Sequence, residues 1–255
     1  MSLKTANNIS NWLQHYLKNN NVNCFVIGVS GGIDSAVSST LCARTGIPTY
    51  VLNIPIRSKQ ENTDLSDLHC DWLCENFDNV TKMTVNATNA YNVFEEIFSE
   101  TKDYNLLANA NSKSRMRMMI LYYVATSKKG IVVGTGNKVE DFGVGFYTKY
   151  GDGGVDISPI ADLTKTQVRE LASVLDVREE ILNAPPTDGL WEDSRTDESQ
   201  IGASYEELEW AMEYVDSGKT QNLSDRQEKV LEIYLSFNTK NKHKMNAIPV
   251  YKLGE

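Results

Sequence analysis

The chain has 255 residues, 41% of them hydrophobic, with a formal net charge of −9 and a sequence pI near 5.0. This length can bury a full core as one large domain, and the acidic balance argues against a general nucleic-acid-binding protein, whose surface would be basic. No apolar run approaches the length of a membrane span, and the first residues, MSLKTANNISNW, contain no apolar signal core. We therefore expect no membrane association and a cytoplasmic location.

The four cysteines, Cys24, Cys42, Cys70 and Cys74, all lie in the first third of the chain. Two of them fall within a predicted strand and the helix after it, which favours reduced cysteines in a core over a disulfide framework. His69 beside Cys70 and Cys74 would suggest zinc, but the segment HCDWLC is typical of one face of a helix, and no second pair of ligands follows it.

The stretch CFVIGVSGGIDSAV begins at Cys24 with the short apolar run of a buried parallel strand. Gly31 and Gly32 follow, and glycines allow the backbone to approach a ligand closely. A helix comes next, and either Asp34 or Ser35 can accept hydrogen bonds from its first free N–H groups. The pattern predicts a strand, a tight turn and a helix, with the turn open to a ligand.

The turn lacks the lysine of a Walker A motif and the spacing of a dinucleotide-binding fingerprint. It provides the hydroxyls of Ser30 and Ser35, glycine N–H groups at a helix N-terminus, and the carboxylate of Asp34. The N–H groups favour an anion, and an acid beside an anion favours a divalent cation such as Mg²⁺. The alternative is an ordinary glycine-rich turn that Asp34 caps.

The remaining pattern alternates between strands and helices. Strands are predicted at 48–56, 79–85 and 130–135, and helices at 5–20, 60–77, 91–99 and 108–127. This alternation predicts an α/β fold with a doubly wound, mostly parallel sheet and helices on both faces. In such sheets the ligand crevice lies beyond the carboxyl ends of the strands.

A second glycine-rich turn, Gly-Thr-Gly at 134–136, follows the strand predicted at 130–135, and Glu140 comes soon after it. Taken alone, Glu140 would more often be a solvated acid than a ligand. Placed across the crevice from Asp34, it would supply the second carboxylate for a cation.

Basic residues stand out against the acidic background. Arg115 and Arg117 lie near the start of an apolar helix and point to different sides of it, and either can hold a phosphate or a carboxylate. Lys149 and Asp152 lie in the turn-rich loop FYTKYGDGGVD. Lys165 lies in the first turn of a helix, where an anion nearby would explain a basic residue; a solvated lysine is the alternative.

That helix begins at Thr164, which forms a predicted capping box with Gln167. Residues 182–202 are rich in proline and acidic side chains, which predicts a mobile lid or a disordered loop. Two helices, at 205–215 and 225–237, and the basic segment NTKNKHKM complete a helical C-terminal extension.

Ser30 to Ser35 carry the signature S-G-G-x-D-S of the PP-loop ATP pyrophosphatases. Together with NSKSRMRM, GTGNKVE, TKYGDGGVD, LTK, PPTDGLWEDSRTDE and HKM, in that order, the chain resembles the ammonia-dependent NAD synthetases along nearly its whole length. The resemblance implies one synthetase domain over 1–255, with an adenine nucleotide α-hydrolase-like core at about 20–180, a lid-like loop at about 182–202 and helices at about 203–255.

The resemblance implies that ATP adenylates the nicotinate carboxylate of deamido-NAD with release of pyrophosphate, and that ammonia then displaces AMP. No stretch is left over for the amidase domain of the glutamine-dependent members, so free ammonia is the expected nitrogen donor. The resemblance also implies a homodimer. The apolar side of the helix that carries Arg115 fits an interface and fits a core equally well.

The resemblance also implies roles for individual residues. ATP and pyrophosphate would contact Ser30, Gly31, Gly32, Ile33, Asp34, Ser35, Gln60, Thr135 and Lys165. Mg²⁺ would be held by Asp34 and Glu140, and deamido-NAD by Arg115, Lys149, Asp152 and Lys244. The catalytic residues would be Thr135, Asp152 and Lys165.

The chain departs from the family at two positions. Asn53 stands where many members have an arginine, with Arg57 as a candidate substitute, and Met245 ends a block that is commonly His-Lys-Arg. Two other functions stay open: another PP-loop adenylating enzyme acting on a different acid, and a regulatory protein that binds ATP without turnover.

Overall fold

A computed structural model describes residues 1–187, 189–191, 195–218 and 222–253. Its strands are β1 (Phe25–Gly28), β2 (Thr49–Asn53), β3 (Val80–Thr84) and β4 (Ile131–Val133). Its α-helices are α1 (Leu3–Asn20), α2 (Ile33–Ala43), α3 (Gln60–Asn76), α4 (Thr88–Ser99), α5 (Leu106–Lys128), α6 (Lys165–Val174), α7 (Glu179–Leu182), α8 (Asp197–Ile201), α9 (Tyr205–Ser217) and α10 (Asp225–Met245). A π-helix, Val139–Val144, lies between β4 and α6.

The four strands form one parallel sheet in the order β3-β2-β1-β4. Strand β1 lies between β2 and β4, so that Ile27 is in register with Val51 on one side and with Val133 on the other. Since the strand order reverses at β1, the turns after β1 and β4 open side by side at the carboxyl edge of the sheet, where α/β proteins bind ligands. The predicted parallel sheet is confirmed.

Alternate side chains of the strands enter two cores on opposite faces of the sheet. Phe25 and Ile27 pack with α1, α2 and α6, and Val26 packs with α4 and α5 on the other face. The predicted doubly wound arrangement is therefore confirmed. The turns after β1 and β4 therefore both start from strands that are buried on both faces.

A third core joins the C-terminal helices to the π-helix. Val139 and Val144 of the π-helix pack with Tyr205 and Leu208 of α9 and with Tyr234 of α10. The helical C-terminal extension is thus present, and it is seated on the segment that follows β4.

Two helices begin or end at residues other than those predicted. The N-cap of α2 is Gly32, which makes no side-chain capping bond, so Asp34 and Ser35 are inside the helix and do not cap it. Helix α10 runs to Met245 because Asn238 and Asn241 donate side-chain hydrogen bonds to the carbonyl oxygens of Gly143 and Val144 at the end of the π-helix. The sequence did not predict the π-helix.

The irregular segment predicted at 182–202 is helical in part, since α8 lies within it and is stabilised by a capping box between Thr196 and Ser199. Residues 188 and 192–194 of that segment lie outside the described residues. The prediction of a lid remains untested.

His69 belongs to the core and not to a zinc site. It is fully buried in α3, its Nε2 lies 3.0 Å from the hydroxyl oxygen of Ser39, and its ring stacks on Trp72. Within the described residues, no group of three or more His, Cys, Asp or Glu side chains is arranged to hold a metal ion. The four cysteines are free thiols, and Cys74 alone is exposed.

In the part of the chain that the structure describes, no helix is both long enough and apolar enough to span a membrane.

Burial lowers the pKa of His69 from 6.5 to about 4. As the pH falls, the unfolded chain therefore binds a proton at this site before the folded chain does. The contribution of His69 to the free energy of unfolding is fully present above pH 6.5 and is lost as the pH falls toward 4. We expect His69 to make the free energy of unfolding fall by about 3 kcal/mol across this window. Urea unfolding at a series of pH values measures the slope.

The exposed His15 provides the control. His69→Gln is expected to flatten the pH dependence in this window, whereas His15→Gln is expected to leave it unchanged. An unchanged slope in His69→Gln would contradict the assignment.

Candidate active site

The turn between β1 and α2 is shaped by Gly31. Its φ of +88° is a conformation that side chains disfavour, and a Cβ added there would lie 2.8 Å from the carbonyl oxygen of Asn62 and 2.9 Å from the Cβ of Leu65. Ser66 of the same helix, α3, donates its hydroxyl to the carbonyl oxygen of Val29. Helix α3 therefore fixes the turn from one side, and only glycine fits at position 31.

The hydroxyls of this turn bind its own backbone. Ser30 N–H donates to the Ser35 hydroxyl oxygen at 3.1 Å, and Gly32 N–H donates to the Ser30 hydroxyl oxygen at 3.3 Å. Ser35 in turn donates to the carbonyl oxygen of Gly32. Gly32, whose N–H donates to the Ser30 hydroxyl, is the N-cap of α2, and a helix N-terminus favours an anion.

Three charged side chains meet above the turn. Lys165, the first residue of α6, has a side chain that is only 3% exposed, and its ammonium contacts Asp34 Oδ2 and lies 3.2 Å from Glu140 Oε1. The structure therefore brings Asp34 and Glu140 together, as the sequence predicted. Lys165 is a buried ion-pair partner, which excludes the alternative of a solvated lysine.

The pKa values in this cluster follow from burial and charge. Burial alone would lower the pKa of Lys165, but the charges of Asp34 and Glu140 outweigh it and hold this pKa above its ordinary value. Burial raises the pKa of Asp34, with Lys165 opposing the shift and Glu140 adding to it. Lys165 therefore stays charged at physiological pH.

Asn137 links the Asp34 carboxylate to the backbone at Glu140 and was missed by the sequence analysis. Fully buried after the second glycine turn, it donates from Nδ2 to Asp34 Oδ1 at 3.2 Å. Its Oδ1 accepts hydrogen bonds from the N–H groups of Val139 and Glu140. The residue pattern GTGN contained the signal, since asparagine commonly caps a turn with its side chain.

Tyr205 and Asp141 also belong to this cluster and were missed. The hydroxyl of Tyr205 donates to Glu140, although the two residues are 65 positions apart. The carboxylate of Asp141 lies against Gly136, where an added Cβ would come within 2.2 Å of Asp141 Oδ1. Burial, followed by the charges of Glu140, Asp152 and Asp34, raises the pKa of Asp141 to about 8.

Asp152 forms a second centre. Its Oδ1 accepts hydrogen bonds from the Ser114 hydroxyl at 2.6 Å and from Thr148 N–H at 3.0 Å, and its own N–H donates to Ser114. Burial raises its pKa, although these hydrogen bonds oppose the shift. Ser114, next to a predicted site residue, was not predicted itself.

The predicted deamido-NAD residues gather around the loop between the π-helix and Asp152. Arg115 Nε donates to the carbonyl oxygen of Lys149, and Lys149 Nζ donates to the carbonyl oxygen of His243 near the end of α10. Lys244 is half-buried and donates to the carbonyl oxygens of Gly145 and Tyr147. Three of the four predicted residues are therefore linked through this loop, and Asp152 ends it.

Three other predicted contacts with ATP differ in their exposure. Gln60 is exposed at the start of α3, and its Nε2 donates to Asp64 Oδ1. Thr135 is half-buried in the turn between β4 and Asn137. Ile33 opens α2 and enters the core.

The structure also shows the surroundings of Asn53 and Met245, the two positions that depart from the family pattern. Arg57 bonds to Asn92 and forms an ion pair with Glu95 at 2.7 Å, so its charge is neutralised by α4. Asn53 itself is buried at the end of β2, and the role of Arg57 as its substitute stays a prediction. Met245 packs against Gly145, where an added Cβ would lie 2.7 Å from the methionine Cε.

The fold and the site together define an α/β enzyme that binds a nucleotide. A glycine-containing turn of the kind that binds phosphate lies with two carboxylates and a buried lysine at the carboxyl edge of its parallel sheet. The NAD synthase family model matches residues 5–248. The chain belongs to the NAD synthase family. Members of this family are ATP-using ligases of NAD biosynthesis that form a C–N bond, and this chain is one of them.

Individual relatives agree with the family match. The chain is 38% identical over 232 residues to the NH₃-dependent NAD⁺ synthetase of Thermoplasma acidophilum, covering 89% of this chain and 90% of that protein. It is 33% identical over 250 residues to the NH₃-dependent NAD⁺ synthetase of Methanocaldococcus jannaschii, covering 96% and 95%. The NMN synthetase structure from Francisella tularensis superposes with a TM-score of 0.86 at 33% identity, covering 98% of each chain.

Gly31→Ala is expected to destabilise the protein, because alanine disfavours the positive φ and its Cβ would meet the backbone of α3. We expect a loss of about 2 kcal/mol in the free energy of unfolding. Gly32→Ala is the matched control, since the nearest atom to an added Cβ there is 3.4 Å away and φ is −87°. Urea unfolding of both variants tests this, and equal losses would contradict the role of Gly31.

Proposed function

We propose that this protein amidates deamido-NAD to NAD with ammonia and ATP, releasing AMP and pyrophosphate. The observation that carries the proposal is the buried Lys165 ammonium between Asp34 and Glu140, directly beside the turn at the N-terminus of α2. A protein that only retained ATP would need fewer converging charges. A nucleotidyl transfer needs them, because negative charge develops on the leaving pyrophosphate.

In the first step, an oxygen of the nicotinate carboxylate attacks the α-phosphorus of ATP. A carboxyl–phosphate bond forms, and the bond from the α-phosphorus to the β-bridging oxygen breaks. Ser30, Gly31, Gly32 and Ser35 hold the departing pyrophosphate by N–H and hydroxyl groups, with Ile33 supplying backbone at the same turn. Lys165 neutralises developing charge, and Thr135 donates its hydroxyl to a phosphate of ATP.

The residues present fit Mg²⁺. Asp34 and Glu140 already hold one cation between them, and Mg²⁺ commonly uses one or two carboxylates together with phosphate oxygens. When bound, Mg²⁺ would supply charge neutralisation to the phosphates. Asn137, which bonds to the Asp34 carboxylate and to the backbone N–H of Glu140, would keep the two ligands aimed at one point. Gln60 would contact the nucleoside part of ATP.

In the second step, ammonia attacks the carbonyl carbon of the adenylate. The C–N bond forms, the bond from that carbon to the AMP oxygen breaks, and the nitrogen gives up a proton. Asp152 is the group proposed to receive it, because burial raises its pKa and Ser114 fixes its carboxylate. Arg115, Lys149 and Lys244 would hold the phosphates and nicotinate of deamido-NAD.

We also propose a homodimer in the cytoplasm. Large apolar side chains are exposed on α4 and α5, which fits a surface that a second copy covers; these side chains are Val93, Ile97, Leu106, Leu107, Met119 and Tyr123. The buried free thiols of Cys24, Cys42 and Cys70 fit a reducing compartment.

A second carboxylate acceptor, nicotinate mononucleotide, is a candidate substrate. The Francisella tularensis structure that superposes along nearly the whole chain is an NMN synthetase. Its name points to amidation of nicotinate mononucleotide, the carboxylate counterpart of NMN. The phosphate-binding turn and the carboxylate pair serve either acceptor equally, so only the part that holds the rest of the dinucleotide would discriminate between them.

The protein is incubated with ATP, Mg²⁺, ammonium and one acceptor: deamido-NAD, nicotinate mononucleotide, xanthosine monophosphate or aspartate. We expect AMP, pyrophosphate and NAD in equal amounts with deamido-NAD. Greater turnover with another acceptor would reassign the substrate. Binding of ATP without release of pyrophosphate with any of them would favour the regulatory alternative.

Arg115→Ala is expected to raise the KM for deamido-NAD about tenfold while leaving the KM for ATP within about twofold, because the guanidinium lies on the side of the crevice near Lys149 and Asp152. Steady-state kinetics with each substrate varied measures both constants. Arg117→Ala is the control, since Arg117 leaves the same helix toward the carbonyl oxygen of Ile54. Equal increases in both KM values would count against the placement of Arg115.

A further inference from the structure

Tyr205 connects the C-terminal helices to the phosphate end of the active site. It is the first residue of α9, where Ser204 and Glu207 form a capping box that fixes the start of the helix. Its ring is fully buried in the third core, beside Leu208 and Tyr234. The position of the side chain is therefore set by packing, independently of any ligand.

The hydroxyl of this tyrosine reaches the proposed metal ligand. The Tyr205 oxygen lies 2.5 Å from Glu140 Oε1 and 3.2 Å from Asp197 Oδ2, and its one proton is donated to the nearer carboxylate, that of Glu140. The packed ring therefore places the Tyr205 hydroxyl where it donates to Glu140.

The ring of the same residue contacts the cation. Lys165 Nζ lies 4.6 Å from the centroid of the Tyr205 ring, within the range of a cation–π contact. Lys165 is thus surrounded by Asp34, Glu140 and the ring face. One side chain from the C-terminal helices touches both the ammonium and one of the two carboxylates.

We propose that Tyr205 is a positioning residue for the reaction: its hydroxyl fixes the Glu140 carboxylate in the orientation that binds Mg²⁺ with pyrophosphate, and its ring holds Lys165 beside it. The inference rests on the proposed function, because it gives Glu140 the role of a metal ligand. It adds that the C-terminal helices set the geometry of the phosphate end.

A purely structural tyrosine would give the same burial, so the test needs a matched variant. Tyr234 lies in the same core, and its ring lies beside Gly143 instead of the ion pair. Tyr205→Phe and Tyr234→Phe each delete one hydroxyl and keep the packed ring. Urea unfolding of both variants reports any contribution of the hydroxyl to stability.

The deciding measurement is binding of inorganic pyrophosphate by calorimetry at a series of Mg²⁺ concentrations. We expect Tyr205→Phe to raise the Mg²⁺ concentration for half-maximal binding about tenfold, since a hydrogen bond to a charged group is lost. Tyr234→Phe is expected to stay within about twofold of the parent. Equal effects in the two variants would overturn the proposal, as would failure of Tyr205→Phe alone to fold.

Glu140→Gln separates this proposal from the function on which it rests. If Glu140 binds the metal, Glu140→Gln raises the Mg²⁺ requirement, and adding Tyr205→Phe to it causes no further rise. If Glu140→Gln has no effect, the proposed metal site itself is wrong. If Glu140→Gln raises the requirement and Tyr205→Phe alone does not, the metal site stands and the role of Tyr205 is refuted.

Discussion

The structure depends on one buried cation between two acids. Asp34, Glu140 and Lys165 come from three separate segments, and none of the three charges would be stable at this depth alone. Their attraction fixes the turn after β1, the π-helix and the start of α6 relative to one another. The proposed Mg²⁺ would add a second cation to the same two carboxylates.

The sheet makes this meeting possible. Strand β1 lies between β2 and β4, so the turns that lead into the helices carrying Asp34 and Glu140 open side by side although about a hundred residues separate the two acids. Asn137 converts this proximity into a defined geometry, because a single side chain bonds to the Asp34 carboxylate and to the backbone at Glu140. Strand order therefore creates the crevice, and the side-chain amide of Asn137 aligns Asp34 with the backbone at Glu140.

The C-terminal helices contribute to the site as well as to the core. Asn238 and Asn241 bind the carbonyl oxygens that the π-helix leaves exposed at its end, and Lys244 binds the carbonyl oxygens of the loop that follows. Tyr205 approaches Glu140 from α9. The segment from Glu140 to Asp152 is thus held by two helices that are remote from it in sequence, which links its two ends, Glu140 and Asp152, through the C-terminal helices.

The sequence by itself determined whatever depends on neighbouring residues: the alternation of strands and helices, the turn at Gly31, the capping box at Thr164 and the family motifs. It did not reveal Asn137, Ser114 or Tyr205 as site residues, and it assigned Asp34 to a cap that Gly32 occupies. Tertiary structure decided these points, because a buried side chain takes the partner that packing brings within hydrogen-bond distance, and that partner can be 65 or 131 residues away.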